Sequence, residues 1–440
     1  MPCWPRLLPL PAALLAALAL PAHGQSLIDL YDSARGYDAT YQGARAQYDA
    51  SIARAAQARA AILPTVGLTA GVNRSDLDIN VITGAQQGSS SRDFTTQNAG
   101  INATQPLYRP ANWATYQQGK LQAEVAQAVL TAAEQDLIVR VSQAYFDVLA
   151  SQDSLALVRA QKVAVAEQLA SAKRNFEVGT QTITDTHEAQ AAYDLVVAQE
   201  FAAINDLDNK RAALQVIIGQ TPGELAPLRA GVTIAAPEPA AVDPWISSAE
   251  GQNFAVISAQ LSLEIAKREI ARNRANHLPT ANLIAQTQHN SVTASGTTKT
   301  NSIGVTWNIP IFNGFAITSK VRETIALEDK ARNDLESTKR LASQNARQAF
   351  LGMNSGLAQV KALEAAELSS KSSLDSNKLG YQVGVRINID VLNAQRQLYA
   401  TQRDLSRARY DTIMNGLRLR SAAGTLKEED LAPVNALLAR

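Results

Sequence analysis

The stretch from Tyr381 to Gln395, YQVGVRINIDVLNAQ, has a near-copy at Phe176 to Gln190, FEVGTQTITDTHEAQ. The chain is therefore an internal duplication, and whatever it folds into must be buildable twice. An offset of 205 relates Gly179 to Gly384 and Gly219 to Gly424, while 204 relates Phe146 to Phe350 and Pro106 to Pro310. Upstream, Leu63-Pro64-Thr65 matches Leu278-Pro279-Thr280 at an offset of 215, so the second half is shorter by 11 residues between its two prolines. Each copy of the stretch runs a helix-like approach into Val-Gly (Val178-Gly179, Val383-Gly384). It then passes a short polar and β-branched turn and meets an Asp (Asp185, Asp390) that opens the next helical run. Both read as tips of helical hairpins. Two copies make a pseudo-symmetric fold, since a solenoid needs more repeats to bury a continuous core.

Outward from the tips, the chain divides into a leader (1–24), a first repeat (25–220), a connector (221–245) and a second repeat (246–440). In the leader, Arg6 precedes an apolar run from Leu7 to Leu20, and Ala22-His23-Gly24 supplies the small residues a signal peptidase reads. The run is too short and too proline-broken for a membrane helix, so cleavage after Gly24 is expected. Cys3, the only cysteine, lies in this segment, so the mature chain has no thiol for a disulfide, metal site or lipid anchor.

From Leu27 to Ile62 the period is helical and stops at Pro64. Then it changes. Val66, Leu68, Ala70 and Val72 alternate with Thr65, Gly67, Thr69 and Gly71, the two-residue repeat of a strand with one apolar face. A polar stretch, Arg74 to Ser91, is expected to be a long exposed loop before a second alternation that ends at Pro106, giving a β-hairpin over 65–106. The second half repeats this over 280–310 with a shorter loop, Asn290 to Thr300. Each strand is expected to run about nine or ten residues, the length that crosses an outer membrane when tilted.

The segments 108–176 and 312–381 hold long proline-free stretches; as helices each would reach about 100 Å. After the second tip, Val391, Ala394, Leu398, Thr401, Leu405 and Ala408 form a coiled-coil seam, whereas Glu200 occupies the position that matches Leu405. Pro222, Pro227, Pro237, Pro239 and Pro244 mark the connector.

Function classes narrow from composition. Lys+Arg 41 against Asp+Glu 40 gives no general attraction to nucleic acid. The mature histidines, His187, His277 and His289, are scattered, and no phosphate loop or nucleophile elbow is present. No catalytic or metal site is assigned, no cofactor is expected, and the chain is read as a non-enzyme. Four membrane-length strands cannot close a barrel, because open edges in lipid leave backbone groups unpaired. The chain must oligomerise; three copies give twelve strands, although closure alone also admits two or four.

At this point the residues resemble a family, the TolC-like outer-membrane efflux proteins. The resemblance covers Gln25 to Leu438 and rests on an ordered set of motifs. In the first half these are Leu63-Pro64, Ala144-Tyr145-Phe146, Val178-Gly179 and Asp185. In the second they are Leu278-Pro279, Tyr381, Val383-Gly384, Arg386, Asp390 to Leu392 and Ala423-Gly424-Thr425-Leu426. It implies a mixed membrane α+β fold: a trimeric, twelve-stranded transmembrane β-barrel continued by a periplasmic α-helical barrel of coiled-coil hairpins. It also implies an outer-membrane exit duct of a tripartite efflux or type I secretion system in a Gram-negative cell. The duct would work with a periplasmic adaptor (membrane fusion) protein and an inner-membrane pump or ABC transporter, with its barrel in outer membrane lipid.

By the same resemblance, Asp390 forms the gate constriction, and Tyr381 and Arg386 latch the inner hairpin to the outer through Thr184 and Asp185. Val178, Gly179, Val383 and Gly384 dock the adaptor. The duplication agrees, since Tyr381 replaces Phe176 and adds a hydroxyl, and Arg386 replaces Gln181 and adds a charge. The plainer reading of Asp185 and Asp390 is helix capping, with Asp185 and Glu188 spaced as a capping box. Two positions depart from the family pattern: Asn393 stands where a second acidic ring would be, and Lys378 where an acidic partner for Gln168 would be. A non-conducting coiled-coil envelope protein or adhesin is the alternative; it would leave the four alternating strands without a purpose.

Overall fold

The computed structural model describes residues 24–83, 86–229, 231–293 and 295–439, with side chains described outside 80–88. The leader lies outside the described residues except for Gly24. Helices α1 (Leu27–Tyr37) and α2 (Ala39–Ala60) lead into strands β1 (Thr65–Thr83) and β2 (Gln86–Tyr108), then α3 (Pro110–Glu177) and α4 (Ile183–Ile218). The order then recurs: α5 (Asp243–Gln252), α6 (Phe254–Ala275), β3 (Thr280–Val292), β4 (Gly296–Asn308), α7 (Ala316–Gln382) and α8 (Asn388–Ala422). A 3₁₀ turn, Glu428–Asp430, and α9 (Leu431–Asn435) follow. By spatial contact the residues fall into two compact units, and each half of the duplication contributes to both. One unit holds residues up to Gln42, Ala133–Ala249 and from Ser343 onward; the other holds Gly43–Ala132 and Glu250–Ala342.

The second unit carries a four-stranded antiparallel sheet in the order β1-β2-β3-β4. Cross-strand partners share a face, so the pairs Val66↔Ala103, Ala103↔Ala285 and Ala285↔Ile303 form one row, with Leu68↔Ile101 beside it. These side chains make one face apolar, and many of them are exposed. The opposite face carries Gly67, Thr69, Gly71, Asn98 and Asn102. A side chain at Gly67 or Gly71 would meet the Oδ1 of Asn102 or Asn98 at 3.0 and 2.7 Å, so small residues on β1 admit the Asn side chains of β2.

Strand length departs from expectation. β1 and β2 run 19 and 23 residues, and β3 and β4 run 13 each, so Arg74 to Ser91 is mostly strand and not a loop, and Asn290 to Thr300 closes in a short turn. The reason is that backbone pairing continues past Val72, where the apolar side chains of β1 pass to the other face at Leu77 and Ile79 and interrupt the one-faced alternation that marks a strand.

In the first unit, the α8 seam Val391, Ala394, Leu398, Thr401, Leu405 and Ala408 is buried throughout, packed on α7 through Leu374, Val360 and Leu363. At the non-matching position Glu200 is bound by Lys162 at 2.8 Å and Arg159 at 3.1 Å, which hold its carboxyl below the usual range. The connector is stitched in: Leu225 bridges Gln25, Leu228 bridges Leu438, and the buried Tyr145 hydroxyl donates to the Ala226 carbonyl at 2.8 Å.

The expected helix from Leu27 to Ile62 is broken at Asp38. Its Oδ1 accepts from the Tyr41 amide at 2.8 Å and caps α2, and both carboxylate oxygens accept from the Arg140 guanidinium at 3.0 Å. The bonds from Arg140 hold the Asp38 carboxyl below its ordinary range, against the opposing effect of burial.

Candidate functional site: the two hairpin tips

Both tips lie within the first unit, and their backbones match. Gly179 and Gly384 have φ of 76° and 80°, the left-handed region that glycine enters without strain. The amide of Thr180 returns to the Asn175 carbonyl at 2.9 Å, and that of Val385 to the Gly380 carbonyl at 2.9 Å. Each helix end is thus closed by a 6→1 bond. A side chain at either glycine would meet nothing within 4 Å. Val178 and Val383 beside them are 72% and 65% exposed, two apolar side chains held out in solvent.

The helices that leave the tips start differently. α4 is capped by Thr182, whose hydroxyl accepts from the Asp185 amide while the Asp185 carboxylate accepts from the Thr182 amide at 3.1 Å. α8 starts after Ile387, which offers no side-chain cap. The aspartates therefore stand at the third helical position and do not open the helices, because Thr182 and Ile387 are the residues that keep extended backbone angles. The capping box is real but sits one turn earlier than the Asp185–Glu188 spacing suggests. Asp390 caps nothing; its carboxylate faces Arg386 at 3.6 Å.

The bonds between the hairpins also depart from the expected latch. The Tyr381 hydroxyl meets the Gln181 carboxamide, 2.8 Å from Oε1, and does not reach Asp185 within the chain. Asp185 is occupied by its own cap, Thr184 is exposed, and Arg386 turns to Asp390. The cross-tie is made instead by Asn388, which is 1% exposed: its Nδ2 donates to the Asp185 carbonyl at 3.0 Å and its Oδ1 accepts from Gln168 at 2.7 Å. Gln168 thus finds a new partner in place of the one Lys378 denies it. Below the tie, Leu392 and Ile389 of α8 pack among Val165, Leu169, Ala172, Ala189 and Val196. Asn388 carries a signal that was there to be read, since its matching residue in the other copy is Ile183.

Comparison with known proteins identifies the family of the chain. The family model for outer membrane efflux proteins matches residues 30–220 and 245–425. The outer membrane protein TolC of Vibrio cholerae is 35% identical over 98% of both chains. The alkaline protease secretion protein AprF of Pseudomonas aeruginosa is 30% identical over 96% of this chain and 89% of its own. The crystal structure of the Campylobacter jejuni CmeC outer membrane channel superposes with a TM-score of 0.79 at 17% identity, over 99% of this chain and 98% of that one. The chain belongs to the outer membrane efflux protein family and is a TolC-like exit duct of the Gram-negative outer membrane, serving efflux or secretion.

Proposed function

We propose that three copies of the chain close one barrel by pairing β4 of each with β1 of the next. The observation that carries this is the four-stranded sheet itself, which has one apolar face and two outer edges, β1 and β4, each paired on one side only. In lipid such edges are untenable, and edge-to-edge closure removes them. Exposed Trp307, Phe312 and Phe315 lie at and just beyond the end of β4, where an aromatic girdle meets a membrane interface, which supports outer membrane lipid as the solvent of this face. A purified, detergent-solubilised trimer that conducts in planar bilayers is expected. A stable, monodisperse monomer would overturn the reading.

The Val178-Gly179 and Val383-Gly384 turns dock a periplasmic adaptor, which links the duct to an inner-membrane pump or ABC transporter. Their exposed valines and open glycines suit close approach by another backbone. Asp390, free of any capping duty, forms a ring of three carboxylates that favours cations at the constriction. Tyr381 with Gln181, and Asn388 with Gln168 and Asp185, hold the hairpins together within a chain, while Arg386 and Thr184, both exposed, are available for contact between copies. Relatives named for alkaline protease secretion and for efflux support secreted proteins and efflux substrates alike as candidate cargoes.

A further inference from the structure

β1 and β2 are longer than a membrane requires. A tilted strand crosses in about 9–11 residues, and the pairs from Thr65↔Thr104 to Asn73↔Thr96 already supply nearly that length. β3 leaves β2 at Thr96↔Val292, yet β1 and β2 continue in unbroken register to Thr83↔Gln86. Beyond Thr95 each chain therefore offers a two-stranded ribbon standing by itself, which is a marginal structure in water unless an apolar face is covered.

Along this ribbon the two faces exchange character. On the face that carries Val66, Leu68 and Val72 lower down, the residues become Arg74, Asp76, Asp78 and Asp93, with Arg74 bound to Asp93 at 3.0 Å and the Ser91 hydroxyl donating to Asp76 at 3.4 Å. On the face that carries Gly67, Thr69 and Asn98, Leu77, Ile79 and Phe94 appear, with Arg92 opposite Leu77 and serines opposite the other two, and Leu77 and Ile79 are each 44% exposed. No bulge intervenes, so the exchange lies in the residues and not in the backbone. A wall that emerges from lipid into water explains the charges on the outer face. It does not explain apolar side chains on the inner one.

We propose that Leu77, Ile79 and Phe94 pack against the same residues of the other copies across the barrel axis, so that the ribbons lean together as a yielding cover over the extracellular mouth. This rests on the barrel proposed above. Closure by β4-to-β1 pairing turns this face of every copy toward one axis, and β3 and β4 end below it, so each patch faces its own equivalents with no wall between them. Contacts between three small patches are weak enough for emerging cargo to part.

Disulfide trapping tests the cover, because two cysteines bridge only when their Cα atoms come within about 7 Å. In a Cys3→Ser background, which removes the one native thiol, Ile79→Cys and Asp78→Cys place a thiol on the inner and outer faces in turn. Oxidation of the intact trimer should link about two chains in three at Ile79→Cys, as three-fold symmetry allows, and none at Asp78→Cys. Export by Ile79→Cys cells should be lost on oxidation and return with reductant. An intact, conducting trimer without the Ile79→Cys link overturns the cover, as does a link that leaves export unchanged. A preparation that is not oligomeric overturns the barrel on which the cover rests.

Discussion

The two tips share a turn and differ in what they ask of one aspartate. In the first, Asp185 is committed to local structure, closing a reciprocal cap with Thr182. In the second, Ile387 at the cap position accepts nothing, and Asp390 is left to Arg386 and to whatever approaches it. Duplication supplied a helix start twice, and the copy without a cap hydroxyl leaves its carboxylate untied. A second pair of matching positions shows the same divergence. α1 and α2 break at Asp38, and α5 and α6 break at Asn253, 215 residues on; each side chain caps the helix that follows. Only the first break is ionic, for Asp38 holds Arg140, whose matching residue is Gln344.

The largest effect should come from that ionic break. Arg140→Ala strands the nearly buried Asp38 carboxylate and should cost about 3 kcal/mol, read by denaturant unfolding in detergent, whereas Asn253→Ala should lose only about 1 kcal/mol of capping. The pH dependence separates them further. Because folding depresses the Asp38 pKa, its contribution is fully present above the ordinary value of 3.8 and is lost as pH falls through the lower folded value. Asp38→Asn should flatten that acid limb, and Asn253 has no such limb to remove.

Next in size is the tie between hairpins. Asn388→Leu leaves the Gln168 carboxamide and the Asp185 carbonyl without their partner, at about 2 kcal/mol, and should raise single-channel conductance of an otherwise intact oligomer. The mirror change, Ile183→Asn, falls on an exposed residue and should alter neither stability nor conductance. Equal conductance in wild type and Asn388→Leu would remove Asn388 from the gate.

Gly179→Val and Gly384→Val should each cost about 1–2 kcal/mol, since a β-branched residue is forced into the left-handed region; no neighbouring atom stands in the way. Adaptor-dependent export should fall while bilayer conductance persists. Loss at only one of the two glycines would assign docking to a single hairpin.

The smallest changes address the aspartates directly. Thr182→Ala should lose about 1 kcal/mol, and Ile387→Ser should recover part of that amount at the other tip by installing the missing cap. Reversal potentials in asymmetric salt should show weaker cation selectivity for Asp390→Ala and no change for Asp185→Ala. A shared loss of selectivity would mean that capping does not keep Asp185 out of the conduction path.

The architecture was legible where it was local or repeated. Alternation at Val66 to Val72, the spacing of the α8 seam and the Val-Gly turns each state their structure within a few residues, and the second copy confirms the first. Three features were not legible. Past Val72 the apolar residues of β1, Leu77 and Ile79, stand on the face opposite Val66 to Val72, so the one-faced alternation ends there and the pairing partner is what shows that the strand continues. The break at Asp38 is one cap inside an Ala-rich helical run, and the Arg140 that binds it lies far along the chain. Asn388 joins Gln168 and Asp185 across more than two hundred residues.

By itself, then, the sequence determined the duplication, the alternation of long helices with strands, and the glycine turns, because backbone preference and hydrophobic period act over one or two turns of chain. Only tertiary structure decided which polar side chains meet. A hydrogen bond depends on angstrom-scale placement of groups whose identities are common along the chain, and that placement is set by the packing of α3, α4, α7 and α8 around their shared apolar seams.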